Sequence, residues 1–479
     1  NLTSLTFGHF FNQVIDVGCL PQSIETLHFG DSFNQPLNKH VLPRALKSLY
    51  FGVAFNNDVM HLPNDCNAEQ TIIPGLMPSS LTFLRLGASF DRPLTVGALP
   101  FGLTSLSFGY CFNQVLIPGS LPDSITDLLM GNSFNTIIQP GCLPQSLLTL
   151  TFGYQFDREL EIGVLPQSIT HISFGCCYNR YIGPGVIPSL ALRSLKMGHE
   201  FNRELTPGTL PTTLTKLSLI QYDTQLVPGS LPSSLTCLDL GNCFDKPFTR
   251  GLLPDSITKL ILPSAYNQSF LPGALPSSLL KLRIGRVFNQ MIMPGALPQS
   301  LTCLIFGRNF NMMMPPGVLP PSLTDLRLGE QYNMILGKDV LPNGLKSLTV
   351  FDKFYRTCSA GPLGRLLKGK HVLPTSLCNI TLTTHTTPDD TIPDITKSFL
   401  PFIHQFLKTI CCSQHLRTNN INNFRIIYSY EYIKSGALYI ELRRIGPVPE
   451  HGHGTFICKF GCYKIPQQRH FSKWRPLII

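Results

Sequence analysis

The 479 residues carry 43% hydrophobic but only 14% charged side chains, with a net charge of +10. By length alone such a chain would form two or three globular domains with sizeable cores. No apolar run approaches the roughly 18 residues of a bilayer-crossing helix and no secretory signal is recognised, so a soluble chain without a membrane-spanning helix is expected.

A fixed period overrides the domain count. An apolar residue followed by proline recurs in sixteen copies, from Pro21 and Pro43 through Pro100, Pro122 and Pro144 to Pro342 and Pro374, and the usual step is 22 residues. Such a period is the mark of a solenoid, whose units bury their apolar faces only against their neighbours. Counted from each proline, the third and sixth residues are Leu or Ile and the eighth is apolar, as in Leu103, Leu106 and Phe108. Apolar sixth and eighth places around one polar residue predict a strand of about five residues with one buried face.

The strand is followed by an aromatic and then Asn or Asp, as in Phe112-Asn113. A short Asx side chain suits a bend where backbone groups face inward, so Asn12, Asn34, Asn113, Asn135, Asn179, Asn202, Asn289 and Asn311 are expected to stack as a structural ladder. Gly stands three residues before the proline in thirteen of the sixteen copies. Pro and Gly together exclude a helix there, and the return segment should be extended or tightly turned.

The Leu-x-x-Leu-x-Phe core, continued by Phe-Asn-x-x-Ile-x-Pro-Gly-x-Leu-Pro, resembles the FNIP repeat family, a variant of the leucine-rich repeat, over residues 1–383. The resemblance implies a mainly β, leucine-rich-repeat-like solenoid of about sixteen coils that binds other proteins. It also implies kinship with chains that place an F-box ahead of the repeats, where the solenoid selects substrate for a ubiquitin ligase. No F-box lies in this sequence, which starts on a strand without Met, so a preceding segment is expected.

In chain order, residues 1–56 hold the first coils in register, and 57–71 insert a surface loop that lengthens one step to 35 residues. The array then runs from Ile72 to Val350. A second insertion at 352–370 stretches the step before Pro374 to 32 residues, and a last coil follows. Residues 384–479 form an α+β carboxy-terminal cap: an amphipathic helix over 396–412, then three alternating runs at 424–433, 437–445 and 455–465 as a small antiparallel sheet with a turn at 434–436.

The fifth and seventh places, on the wet side of each strand, are free to encode a partner. They begin as Thr26, His28, Ser48, Tyr50, Phe83 and Arg85, then turn basic. Lys196, Lys216, Lys259, Lys281, Arg283 and Arg327, with Asp239 among them, mark a strand face that would bind an acidic segment of a protein partner. An alternative is nucleic acid or another polyanion, since residues 384–479 hold twelve Lys or Arg against six Asp or Glu, with Tyr428, Tyr430, Phe456 and Trp474 nearby. Self-association through the solenoid ends is a third use of the fold.

His451, His453, Cys458 and Cys462 are of zinc-ligand type, but their spacing matches no common finger, so no metal or cofactor is expected. Neither a phosphate loop nor a nucleophile elbow is present, and the chain reads as a non-enzymatic scaffold. Fifteen unpatterned cysteines indicate reduced thiols and a cytoplasmic setting.

Overall fold

The computed structural model describes residues 2–55, 72–352, 374, 376–377, 379–386, 423–430, 437–445, 455–463 and 473–478. The insertion at 57–71, nearly all of that at 352–370, the helix over 396–412, the turn at 434–436 and the pair His451 and His453 lie outside them. Two compact units divide the chain, Asn1–Gly241 and Asn242–Ile479.

The described part of the first unit is a leucine-rich-repeat-like solenoid. Its strands are β1 (Ser4–Thr6), β2 (Thr26–His28), β3 (Ser48–Tyr50), β4 (Phe83–Arg85), β5 (Ser105–Ser107), β6 (Asp127–Leu129), β7 (Thr149–Thr151), β8 (His171–Ser173), β9 (Ser194–Lys196), β10 (Lys216–Ser218) and β11 (Cys237–Asp239). Each pairs in parallel with its sequence neighbours, one coil apart, so that Leu106 faces Leu84 on one side and Leu128 on the other. From β2 to β11 the central residue of a strand is buried while its two flanking residues face water, as in Ser105-Leu106-Ser107; Leu5 of β1 is half-buried.

These strands have three residues rather than the five expected. Sheet hydrogen bonding still spans five: the Thr104 N–H donates to Thr82 O at 2.9 Å and the Phe108 N–H to Leu129 O at 2.9 Å. Immediately beyond comes Gly109, where the chain bends toward the aromatic. Among the described residues the return segments contain no helix, and the glycine before each Leu-Pro pair is left-handed, as at Gly119 with φ +81. Where that glycine is missing, His40 and Asp339 adopt the same conformation.

The core of the first unit is a set of stacked columns. Phe90, Phe112, Phe134 and Phe156 lie at successive centroid separations of 6.2, 6.1 and 6.0 Å. Nearer the strands, Phe29–Phe51 and Phe152–Phe174 are separated by 5.3 and 5.1 Å. Strands themselves stand about 4.8 Å apart. The coils therefore fan open away from the sheet, and the strand face of this unit is its concave side.

In the second unit, β12 (Lys259–Ile261), β13 (Lys281–Arg283), β14 (Cys303–Ile305), β15 (Asp325–Arg327), β16 (Ser347–Asp352), β17 (Asn379–Thr386) and β18 (Asn423–Tyr430) pair in parallel in that order. From β18 the sheet continues antiparallel through β19 (Ala437–Ile445), β20 (Thr455–Tyr463) and β21 (Lys473–Ile478). β18 to β20 occupy the three alternating runs, but they extend the solenoid sheet instead of forming a separate one. β21 was not expected, because Pro476 interrupts its pattern; the strand pairs through β20 alone among the described residues.

The Asx residues form a hydrogen-bonded file in each unit. The backbone N–H of each donates to the side-chain oxygen of its counterpart one coil earlier: Asn34 to Asn12 at 2.9 Å, Asn113 to Asp91 at 2.9 Å, Asn135 to Asn113 at 2.8 Å, Asn179 to Asp157 at 3.0 Å and Asn202 to Asn179 at 3.1 Å. In the second unit Asn289 donates to Asn267 and Asn311 to Asn289, both at 2.9 Å. The file runs along the surface and not through the core, since Asn113 is exposed and Asn135 half-buried. Asn113→Ala is therefore expected to cost about 1 kcal/mol, because water reaches the N–H left behind, while Ser107→Ala stays within about 0.5 kcal/mol. Equal midpoints in urea unfolding would show that the file carries no stability.

A second polar file follows Pro-x-Ser: the Ser124 hydroxyl donates to Leu103 O at 2.6 Å and the Ser168 hydroxyl to Leu147 O at 2.7 Å. Its signal, a serine two residues after the proline in eleven of the sixteen copies, is visible in the sequence. Tyrosine takes the ring position of the aromatic columns at Tyr178, Tyr222, Tyr266 and Tyr332. Tyr178 is fully buried and its hydroxyl has no hydrogen-bond partner among the described residues. Burial, and after it the Asp157 charge, drives its ionisation well above the usual range. Tyr178→Phe is expected to match the parent or raise its stability by about 1 kcal/mol, read as a higher thermal midpoint; a lower one would reveal a hydroxyl partner.

Candidate functional site

Register decides which outward side chains meet. In the first unit, Lys196, Ser218 and Asp239 share one row and Ser194, Lys216 and Cys237 the other. Lys196 and Lys216 are exposed, whereas Asp239 is half-buried and its carboxylate accepts the Gly241 N–H at 3.0 Å. That carboxylate shapes a turn.

In the second unit, Lys259 lies opposite Lys281, and Arg283 opposite Ile261 and Ile305. All three cations are exposed, and among the described residues none forms an ion pair. Arg327 is placed apart from them, beyond β14, with its guanidinium 5.0 Å over the Phe351 ring. Partial desolvation holds its pKa below the ordinary range; the Glu330 charge opposes this and the Arg283 charge adds to it. The basic residues thus separate into a tight cluster on β12 and β13 and single cations elsewhere.

The structure adds a feature that residue order hid. A groove of about 960 Å³ opens on the concave face of the first unit over β2 to β7. His28, Tyr50, Phe83, Arg85, Asp127 and Leu129 project into it from the fifth and seventh places. The His28 and Tyr50 rings stack at 4.0 Å and 5°, and Phe83 lies 4.9 Å from Tyr50. The signal was present, since large residues cluster here at the fifth and seventh places, where Ser and Thr are common, but only the inward curve of the sheet makes them a groove.

Cys458 and Cys462 fall on β20, and no cluster of metal-ligating side chains occurs among the described residues.

The FNIP repeat family profile matches in twelve overlapping segments that together cover residues 1–54 and 69–353. The chain belongs to the FNIP repeat family. Among solved structures, FNIP repeats of this chain are similar to CroV588, described as a novel circular leucine-rich-repeat protein, at 32% identity over 80% of this chain and 69% of that one, with a TM-score of 0.44. An internalin from Listeria monocytogenes aligns at 14% identity over 68% of this chain and 86% of its own, with a TM-score of 0.42. A chain of the Drosophila Toll–Spatzle complex aligns at 14% identity over 80% and 53%, with a TM-score of 0.47. No curated protein sequence matches the chain. FNIP repeats stacked into a leucine-rich-repeat-like solenoid are consistent with a protein-interaction scaffold.

Proposed function

We propose that the chain is a non-enzymatic scaffold that holds an acidic segment of a partner protein on its strand face, with Lys259, Lys281 and Arg283 as the anchor. The observation that carries this reading is the in-register Lys259–Lys281 pair beside Arg283. Like charges directly opposite on neighbouring strands weaken a sheet by a few tenths to 1 kcal/mol. The fold has no use for such a pair, whose side chains point to water while Leu260 and Leu282 fill the core. A carboxylate-rich segment laid across both strands would turn that repulsion into attraction and desolvate the cations only partly.

Changing Lys259, Lys281 and Arg283 to Ser should leave the thermal midpoint equal or higher and reduce binding of Glu/Asp-rich peptides at least about tenfold. Single-stranded DNA of matched charge is the control. DNA bound more tightly than peptide, and equally by both proteins, would transfer the function to polyanion binding through the basic carboxy-terminal residues. Service as the substrate-selecting part of a ubiquitin-ligase adaptor is a finer form of the scaffold reading, and an F-box in the full gene product would favour it.

A further inference from the structure

We infer that the groove over β2 to β7 is a second recognition site, for an extended segment of a partner protein that carries an aromatic or proline ring, then a carboxylate, then a cation. This rests on the scaffold reading but on other residues and another unit. Eleven of the 22 outward positions on the strands of the first unit are Ser or Thr, among them Ser4, Thr6, Thr26, Ser48, Ser105, Ser107, Thr149, Thr151 and Ser173. Small polar residues suffice to keep a parallel sheet wet on one side.

From β2 to β4 larger side chains replace them at neighbouring places, and Asp127 and Leu129 of β6 do so again beyond the two serines of β5. Register sets His28 beside Tyr50 and Tyr50 beside Arg85 in one row, with Phe83 in the other row between Ser48 and Ser105. The three rings form one platform on the water side of the sheet, while Leu27, Leu49 and Leu84 of the same strands fill the core. Phe83 is only half-buried and Leu129 is 44% exposed. Apolar surface left wet at a concave site marks a place for a ligand.

Charge and length define the occupant. Arg85 is exposed and forms no ion pair among the described residues. Asp127 stands two strands further, in the other row. A cation and an anion in one groove suit a ligand bearing both signs, and Asp127, with Asp31 at the groove end, disfavours a polyphosphate chain. From β2 to β7 the groove crosses five strand spacings, about 24 Å, which is the reach of about seven extended residues. Arg85 and Asp127 are about 10 Å apart along the sheet, so the ligand carboxylate and cation should be about three residues apart, with the ring on the far side of the carboxylate. Aromatic-lined grooves receive proline and aromatic side chains in the same way.

The test is selection of a displayed random 12-residue peptide library on the full chain, repeated with Arg85→Glu, Phe83→Ser and the Lys259/Lys281/Arg283→Ser variant. The expected result is enrichment of a ring followed by Asp or Glu and, about three residues on, Lys or Arg. Arg85→Glu should invert the selected acid to a base, a change that mere loss of structure does not produce. Phe83→Ser should weaken selected peptides at least about tenfold, and the triple Ser variant should leave them unaffected. No enrichment, equal binding of the same peptides by Arg85→Glu, or self-association of the chain through this groove would overturn the proposal. Loss of selected peptides only in the triple Ser variant would also overturn it, by placing the site in the second unit. Peptide selection intact in a protein whose Lys259 cluster binds no acidic peptide would instead refute the acidic-segment anchor and leave the groove standing.

Discussion

Gly109→Ala is expected to destabilise the first unit by more than about 3 kcal/mol. A methyl group at this position would coincide with the Gly87 carbonyl oxygen of the preceding coil, and that oxygen already accepts the Phe90 N–H at 3.0 Å. Nothing nearby is a flexible side chain that can swing aside. The coils would have to separate, which pulls apart the aromatic column and the strand ladder together. Gly119→Ala is the control, because its difficulty is conformational: φ is +81, and the added methyl meets only the Val96 methyls, at 3.7 Å. Its cost should be about 1 to 2 kcal/mol. Urea unfolding followed by tyrosine fluorescence separates the two, and equal midpoints would mean that the coils are not held at the close approach described.

Phe134→Ala should cost about 3 to 5 kcal/mol. The ring is fully buried between Phe112 at 6.1 Å and Phe156 at 6.0 Å, and its two neighbours are fixed by their own coils, so the hole cannot collapse. Because each coil contacts only its neighbours, loosening should concentrate in those flanking coils. Amide exchange would show it as lost protection around Leu106, Leu128 and Leu150. Phe101→Ala, at a ring that is 86% exposed, should leave both midpoint and protection unchanged. Uniform loss of protection across the unit after Phe134→Ala would show that the coils unfold as one body instead.

Much of this architecture is legible in residue order. The 22-residue step, the leucines of the strand, the aromatic-Asx pair and the Pro-Gly turn each belong to one coil, and local chemistry specifies them: burial on alternate residues, a bend stabilised by a short polar side chain, a backbone angle that glycine tolerates. Three features were misread or missed because they belong to two coils at once. The strands proved to be three residues long, since the bend at Gly109 cuts them short. The same glycine, nine residues after Pro100, resembles any other turn glycine until the Gly87 carbonyl is seen against it. The Asx file was expected at a bend whose backbone groups face inward, yet Asn113 is exposed, because the aromatic beside it takes the interior.

The candidate sites divide along the same line. The sequence alone named the outward positions and the basic residues on them, because strand alternation assigns a face to every side chain. Only packing between coils decided which of them act together. Register placed Lys281 against Lys259 and set Arg327 apart, and the fanning of the first unit made a groove of His28, Tyr50, Phe83 and Arg85. Residue order carries periodicity and local preference, but curvature and register sum small offsets over many coils, and those sums exist only in the folded chain.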